Sequence, residues 1–227
     1  ARSRSARYGP EEAETMETGN TSRPPGAPAE ATAARRVTVY AGSSTRAPEE
    51  LLAIARELGR SIASRGWTLV YGGARIGLMG ALADAALEAH GRVEGVILDT
   101  FAQVAHASLH ELETVGDMRS RKAGLAHRGD AFVVLPGGYG TLEELSEILV
   151  ERQLDLHRKP LVLVNHRGFW DPLLLLLDRQ VESGLLSPRN RALPLVVADV
   201  AAAVDAIARD FASPPPAVTR PRVSKIG

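Results

Sequence analysis

Short apolar runs alternate with longer amphipathic stretches along most of the chain. Six runs read as strands: Val37–Ala41, Thr68–Tyr71, Val93–Ile97, Ala131–Leu135, Leu161–Asn165 and Leu195–Val197. Each is short, mostly β-branched or leucine, and bounded by glycine, proline or charged residues. Glu113–Val115 is a weaker seventh. The stretches between them, Pro48–Ser64, Leu78–Ala89, Arg119–His127, Leu142–Leu156, Trp170–Ser183 and Val200–Phe211, read as helices. The first places Leu51, Leu52, Ala55, Leu58 and Ile62 on one face. Strands apolar without interruption are buried on both sides, so the pattern predicts an α/β fold, a parallel sheet covered by helices on both faces. Leu173–Leu177, the longest apolar run, reads as a buried helix segment. Together with Leu142–Leu156 it is a candidate for burial in the core or in a dimer.

Residues 1–35 are rich in Ala, Pro, Gly, Ser, Thr and Glu and hold almost no large apolar side chains, so they are expected to form a disordered tail. Met16 is a candidate natural start. Residues 213–227, with Pro214-Pro215-Pro216, read as a second, basic tail. The folded part is then a single catalytic-sized domain over residues 36–212, within a chain of 227 residues.

Charge and composition narrow the chemistry. Lys plus Arg and Asp plus Glu both number 27, which gives no reason to expect a nucleic acid or an acidic membrane surface as partner. The absence of cysteine excludes disulfides, thiol catalysis and cysteine-based zinc sites. The six histidines form no His-x-x-x-His pair, so a metal site is unsupported. No apolar run approaches the roughly 20 residues that span a bilayer, and Arg2, Arg4 and Arg7 precede no secretory core. Cytoplasm is the expected compartment.

Ligands of parallel sheets bind outside the carboxyl ends of the strands. Four such ends stand out: Gly42-Ser43-Ser44-Thr45, Gly72-Gly73 through Gly80, Pro136-Gly137-Gly138-Tyr139-Gly140-Thr141, and Asn165–Gly168. In the third, glycines would allow positive φ and close backbone approach to an anion, and Thr141 would stand at a helix N-terminus that favours phosphate. The segment is neither a Walker loop nor a dinucleotide fingerprint, so a cradle for one phosphate is the better functional reading. The competing reading is a tight turn with Thr141 as N-cap and Glu144 closing a capping box. Two glycine-rich loops at strand ends favour the phosphate. For Glu144 itself, spacing alone favours the cap, although a carboxylate there could also stabilise an oxocarbenium-like sugar or activate water. Arg119, Arg121 and Lys122 cluster where cations oppose the helix dipole, which suggests phosphate binding over a solvated face.

Pro136 to Glu144 resembles the PGGxGTxxE signature of the Lonely Guy family of cytokinin-activating phosphoribohydrolases. Met118 to Lys122 is similar to that family's second motif, and Gly42-Ser43-Ser44 and Tyr71 to Gly80 match two further stretches. The likeness runs from about Val37 to Phe211. It implies a Rossmann-like doubly wound parallel sheet of about seven strands, no cofactor and no metal, and usually a homodimer with the site near the interface. It also implies hydrolysis of the N-glycosidic bond of a nucleoside 5′-monophosphate, a cytokinin riboside monophosphate or an AMP-like nucleotide, to free base and ribose 5-phosphate. Arg121 and Glu144 would be the catalytic pair. Gly42, Ser43, Gly72, Gly73, Gln103, Met118, Lys122, Gly137, Gly138, Gly140 and Thr141 would bind substrate. The label "lysine decarboxylase" carried by many relatives has little support, since no lysine is placed like a pyridoxal-phosphate anchor.

The departures from the family pattern cluster where the base should sit. Leu98 stands in place of a proline, Gln103 in place of a substrate-contacting glutamate, and Val150-Glu151 in place of Thr-Trp. Ala41 replaces a frequent cysteine. These leave the catalytic motif whole and put cytokinin preference in question. Two other classes compete with the hydrolase: a non-enzymatic nucleotide or molybdenum-cofactor carrier, which would need the glycine cradle but not the Arg121–Glu144 pair, and a nucleotide sensor.

Overall fold

The structure is a computed structural model and describes residues 34–213. The two expected tails and Met16 lie outside the described residues, except for positions 34, 35 and 213. Seven strands form one sheet: β1 (Arg36–Tyr40), β2 (Thr68–Tyr71), β3 (Val93–Leu98), β4 (Glu111–Val115), β5 (Ala131–Val134), β6 (Leu161–Val164) and β7 (Leu195–Val197). The helices are α1 (Glu49–Ser64), α2 (Gly77–Glu88), α3 (Met118–Arg128), α4 (Tyr139–Gln153), α5 (Asp171–Glu182), the short α6 (Pro188–Arg191) and α7 (Val200–Ala212). All pairings are parallel, in the order β4-β3-β2-β1-β5-β6-β7. The Rossmann-like expectation is therefore met.

The chain winds outward from β1 to β4, then α3 carries it back across to β5 on the other side of β1. The direction of winding reverses between β1 and β5, and loops leaving neighbouring strands there diverge to opposite faces. Alternate strand residues feed two cores. Val37, Val39, Leu69, Val133 and Val164 pack with α1, α2 and α7, while Tyr40, Val70, Phe132, Val134 and Leu163 pack with α3, α4 and α5. At about 25 cal/mol per Å² of apolar area, this double burial is the main stabilising term. It also fixes the strand ends on which the site is built.

Three expectations are corrected. The weak seventh strand is five residues long, and its side chains are mostly exposed because β4 is a sheet edge. Helix α4 begins at Tyr139 rather than Leu142, since Gly138 is its N-cap. Leu173–Leu177 is not a buried segment. Leu173 and Leu174 pack against the core, but Leu175 and Leu176 are 70% and 53% exposed. One helix face covers a sheet, and five consecutive leucines wrap beyond it.

Candidate active site

Three loops meet at the reversal point and are stitched together by backbone hydrogen bonds. Gly42 N donates to Pro136 O at 3.1 Å, and Gly42 O accepts from Leu78 N at 2.9 Å. The positive φ values belong to the second loop, at Gly73 (75°) and Gly77 (60°). Gly137, Gly138 and Gly140 lie outside that region, contrary to the sequence expectation. Their use is space. A Cβ at Gly137 would fall on the Thr141 side chain, whereas Gly138 and Gly140 face open space.

These loops enclose a cavity of about 320 Å³, the low end of small-molecule sites. Gly42, Ser43, Gly72, Met118, Arg121, Gly138, Gly140, Thr141 and Glu144 all line it. Gly73, Gln103, Lys122 and Gly137 do not. Gly73 packs against Ile97 and Leu112. Gln103 is exposed on a 3-10 turn (Asp99–Val104), and its carbonyl accepts from the Arg75 guanidinium at 3.3 Å. The apolar wall was largely missed: Ile76, Met79, Ile97, Phe101 and Val104, with exposed Tyr139 at the rim. Ile97 lies at the carboxyl end of β3, and Phe101 and Val104 follow it, so the strand-end rule extended to β3 would have found them.

Arg121 from α3 and Glu144 from the second turn of α4 meet at the cavity wall. Arg121 Nη1 donates to Glu144 Oε1 at 2.8 Å, with side chains 12% and 9% exposed. Gly72 makes this possible, because a Cβ there would collide with the Arg121 guanidinium. Burial pushes the Glu144 carboxyl above its ordinary pKa, and the Arg121 charge opposes this without overcoming it. The capping-box alternative fails: Gly138 is the cap, Thr141 lies one turn inside, and Glu144 is turned to Arg121. No side chain caps α4, so its first N–H groups remain available beside the open faces of Gly138 and Gly140. Lys122 turns away, donating to Glu143 at 2.9 Å and bridging Glu147 at 3.1 Å. Its hydrogen bond to Glu143 raises its pKa. Arg119, the third cation of this cluster, is exposed and outside the cavity.

Fold and site together define a Rossmann-like α/β protein with a buried Arg–Glu pair at the reversal point of its sheet. The sequence matches, over residues 79–207, the family described as "Possible lysine decarboxylase". It is 43% identical over 176 residues to the cytokinin riboside 5′-monophosphate phosphoribohydrolase of Rhodococcoides fascians, over 76% of this chain and 89% of that one. An Arabidopsis thaliana protein of the same name is 42% identical over 159 residues, 69% of this chain and 75% of that one. Among solved structures, the molybdenum cofactor carrier protein of Chlamydomonas reinhardtii superimposes with a TM-score of 0.63 at 26% identity, over 79% of this chain and 99% of that one. The chain belongs to the Lonely Guy family of phosphoribohydrolase enzymes. The decarboxylase wording finds no lysine among the side chains that line this cavity. Among the described residues no helix is long and apolar enough to cross a membrane, and no cluster of His, Cys, Asp or Glu has the makings of a metal site.

Proposed function

We propose that this protein hydrolyses the N-glycosidic bond of a nucleoside 5′-monophosphate, releasing the free base and ribose 5-phosphate. The observation that carries the reading is the Arg121–Glu144 pair, held nearly dry at the wall of a cavity beside an uncapped helix N-terminus. The 5′-phosphate docks on the N–H groups of α4 over Gly138 and Gly140, where the helix dipole favours an anion. The base lies toward Ile97, Phe101, Val104 and Met118. As the C1′–N bond lengthens, positive charge grows on the sugar, and the Glu144 carboxylate stabilises it while orienting a water toward C1′. The water oxygen bonds to C1′ and keeps one proton as the new hydroxyl, the bonding pair leaves with the base nitrogen, and the water's other proton passes to that nitrogen by way of Glu144 or solvent. Arg121 favours the ionised form of Glu144 and fixes its direction. Such placement and electrostatic preorganisation are each worth several kcal/mol of barrier.

Base release from AMP, CMP and isopentenyladenosine monophosphate, followed by chromatography, tests the reading directly. Release by wild type that disappears in Glu144→Gln supports it, and the preferred nucleotide identifies the base. Binding with no release from any of the three overturns it in favour of a carrier, the reading to which the molybdenum-cofactor carrier fold lends weight. The exposed Leu175 and Leu176 of α5, Val150 of α4 and Leu154 just after it are apolar surface available to a homodimer. Sedimentation of Leu175→Arg/Leu176→Arg against wild type tests whether α5 forms that interface; an unchanged dimer rules it out.

A further inference from the structure

Family resemblance makes Lys122 a phosphate and sugar ligand, but its surroundings point elsewhere. Two consecutive residues of α3, Arg121 and Lys122, reach two consecutive residues of α4, Glu144 and Glu143. The inner rung faces the cavity. The outer rung extends one turn further, where Lys122 Nζ also meets Glu147 at 3.1 Å. The lysine is only 18% exposed and already has a carboxylate on either side. To reach a phosphate it would have to abandon both, and the phosphate would then approach two uncompensated glutamates.

The rest of α3 shows where such a rung acts. Its one fully buried residue is Leu125, a turn beyond Arg121. At the cavity end Met118 is exposed, and the Asp117 carboxylate caps the helix by accepting from Ser120 N at 2.9 Å. At this end the Arg121–Glu144, Lys122–Glu143 and Lys122–Glu147 pairs join α3 to α4. Whatever fixes the two helices in register at this end also fixes Arg121 against Glu144. Lys122 is placed to do that.

We infer that Lys122, held between Glu143 and Glu147, is a positioning residue that keeps the Arg121–Glu144 pair in catalytic register and does not bind the phosphate. This rests on the hydrolase reading above, since it assigns a task within that reaction. An ångström of misplacement at a reacting centre costs about 10²-fold in rate, whereas substrate affinity set by α4's N–H groups is untouched.

The test compares Lys122→Met, which keeps the aliphatic stem, with Lys122→Arg and with the double variant Glu143→Gln/Glu147→Gln. Steady-state base release from AMP gives kcat and KM, and ribose 5-phosphate serves as the inhibitor that reads phosphate affinity. For Lys122→Met the expected result is a kcat lowered on the order of 10- to 100-fold, with KM and the ribose 5-phosphate inhibition constant unchanged. Lys122→Arg should recover most of the loss, because a guanidinium can also span two carboxylates. The glutamine pair should reproduce the loss and add nothing to it when combined with Lys122→Met. A preserved kcat with KM and the inhibition constant both raised makes Lys122 a phosphate ligand and overturns the inference, as does no change in any parameter. If Lys122→Met fails to fold, the glutamine pair decides by the same kcat-against-KM criterion. Failure of the hydrolase reading is recognised separately, because wild type itself then releases no base. In that case AMP binding by calorimetry still judges Lys122: equal affinity in Lys122→Met supports its exclusion from the phosphate site, and weaker binding overturns it.

Discussion

Helix α3 lays an arginine against a buried glutamate near each end, and the two ends are wired differently. Arg121 and Arg128 stand seven residues apart, two turns along one helix face and about 10 Å from each other. At the far end Glu94, with a side chain only 1% exposed, takes Arg92 at 2.9 Å, Arg36 at 3.4 Å and Arg128 at 3.3 Å. Burial pushes its carboxyl up, but the Arg92 and Arg36 hydrogen bonds and charges bring it below its ordinary pKa. At the cavity end Glu144 has Arg121 alone, and burial prevails. A carboxylate surrounded by partners is a fastener. One left with a single partner beside a cavity keeps an oxygen for something else, at a cost in stability.

The largest effect expected from this contrast is on Glu144. Glu144→Gln should lower base release by about 10²- to 10⁴-fold, the range for a lost acid–base group, while the amide oxygen still accepts from Arg121 and the melting temperature holds or rises. A melting temperature that falls with activity would make Glu144 a fastener too. Gly72→Ala leaves both catalytic side chains in place chemically but sets a methyl where the Arg121 guanidinium now lies. About a 10²-fold loss of kcat is expected, with folding retained by circular dichroism. An active Gly72→Ala would mean that the pair tolerates displacement. Glu94→Gln should do the opposite of both: a loss of about 1.5–3 kcal/mol in denaturant unfolding, the worth of hydrogen bonds to a charged group, with kcat unchanged at temperatures where the variant is folded.

The same contrast explains what could be read in advance. The core strands were legible because apolar runs buried on both faces leave an unmistakable pattern, and the PGGYGT segment marked the reversal point of the sheet. Edge strand β4 was nearly invisible, as its exposed Glu111, Glu113 and Thr114 carry no burial signal. Glu144 looked like half of a capping box because spacing reports only which residues are near on one helix, whereas its true partner lies 23 positions away on another. Leu175 and Leu176 belong to an apolar run whose length carries no information about the helix face each residue occupies. Gln103 was placed in the site by alignment to a family glutamate, but the 3-10 turn offers Phe101 and Val104 to the cavity and leaves Gln103 in solvent.

The smallest and most discriminating prediction is the pH dependence of stability. Glu94, with its folded pKa below the unfolded value of about 4.3, stabilises the fold above that pH and gives up the contribution as pH falls through the folded pKa. Glu144 has its folded pKa above the same unfolded value, so the native state holds its proton longer than the unfolded chain does. Its contribution is fully present below about pH 4.3 and is lost as pH rises through the raised pKa. Melting curves collected across that range should therefore separate the two carboxyls by slope. Glu94→Gln should flatten the acid-side loss of stability, and Glu144→Gln should remove a decline on the rising side. Equal profiles for wild type and Glu144→Gln would show that Arg121 fully offsets the burial of Glu144, and the carboxyl would then be as satisfied as Glu94 at the other end of the helix.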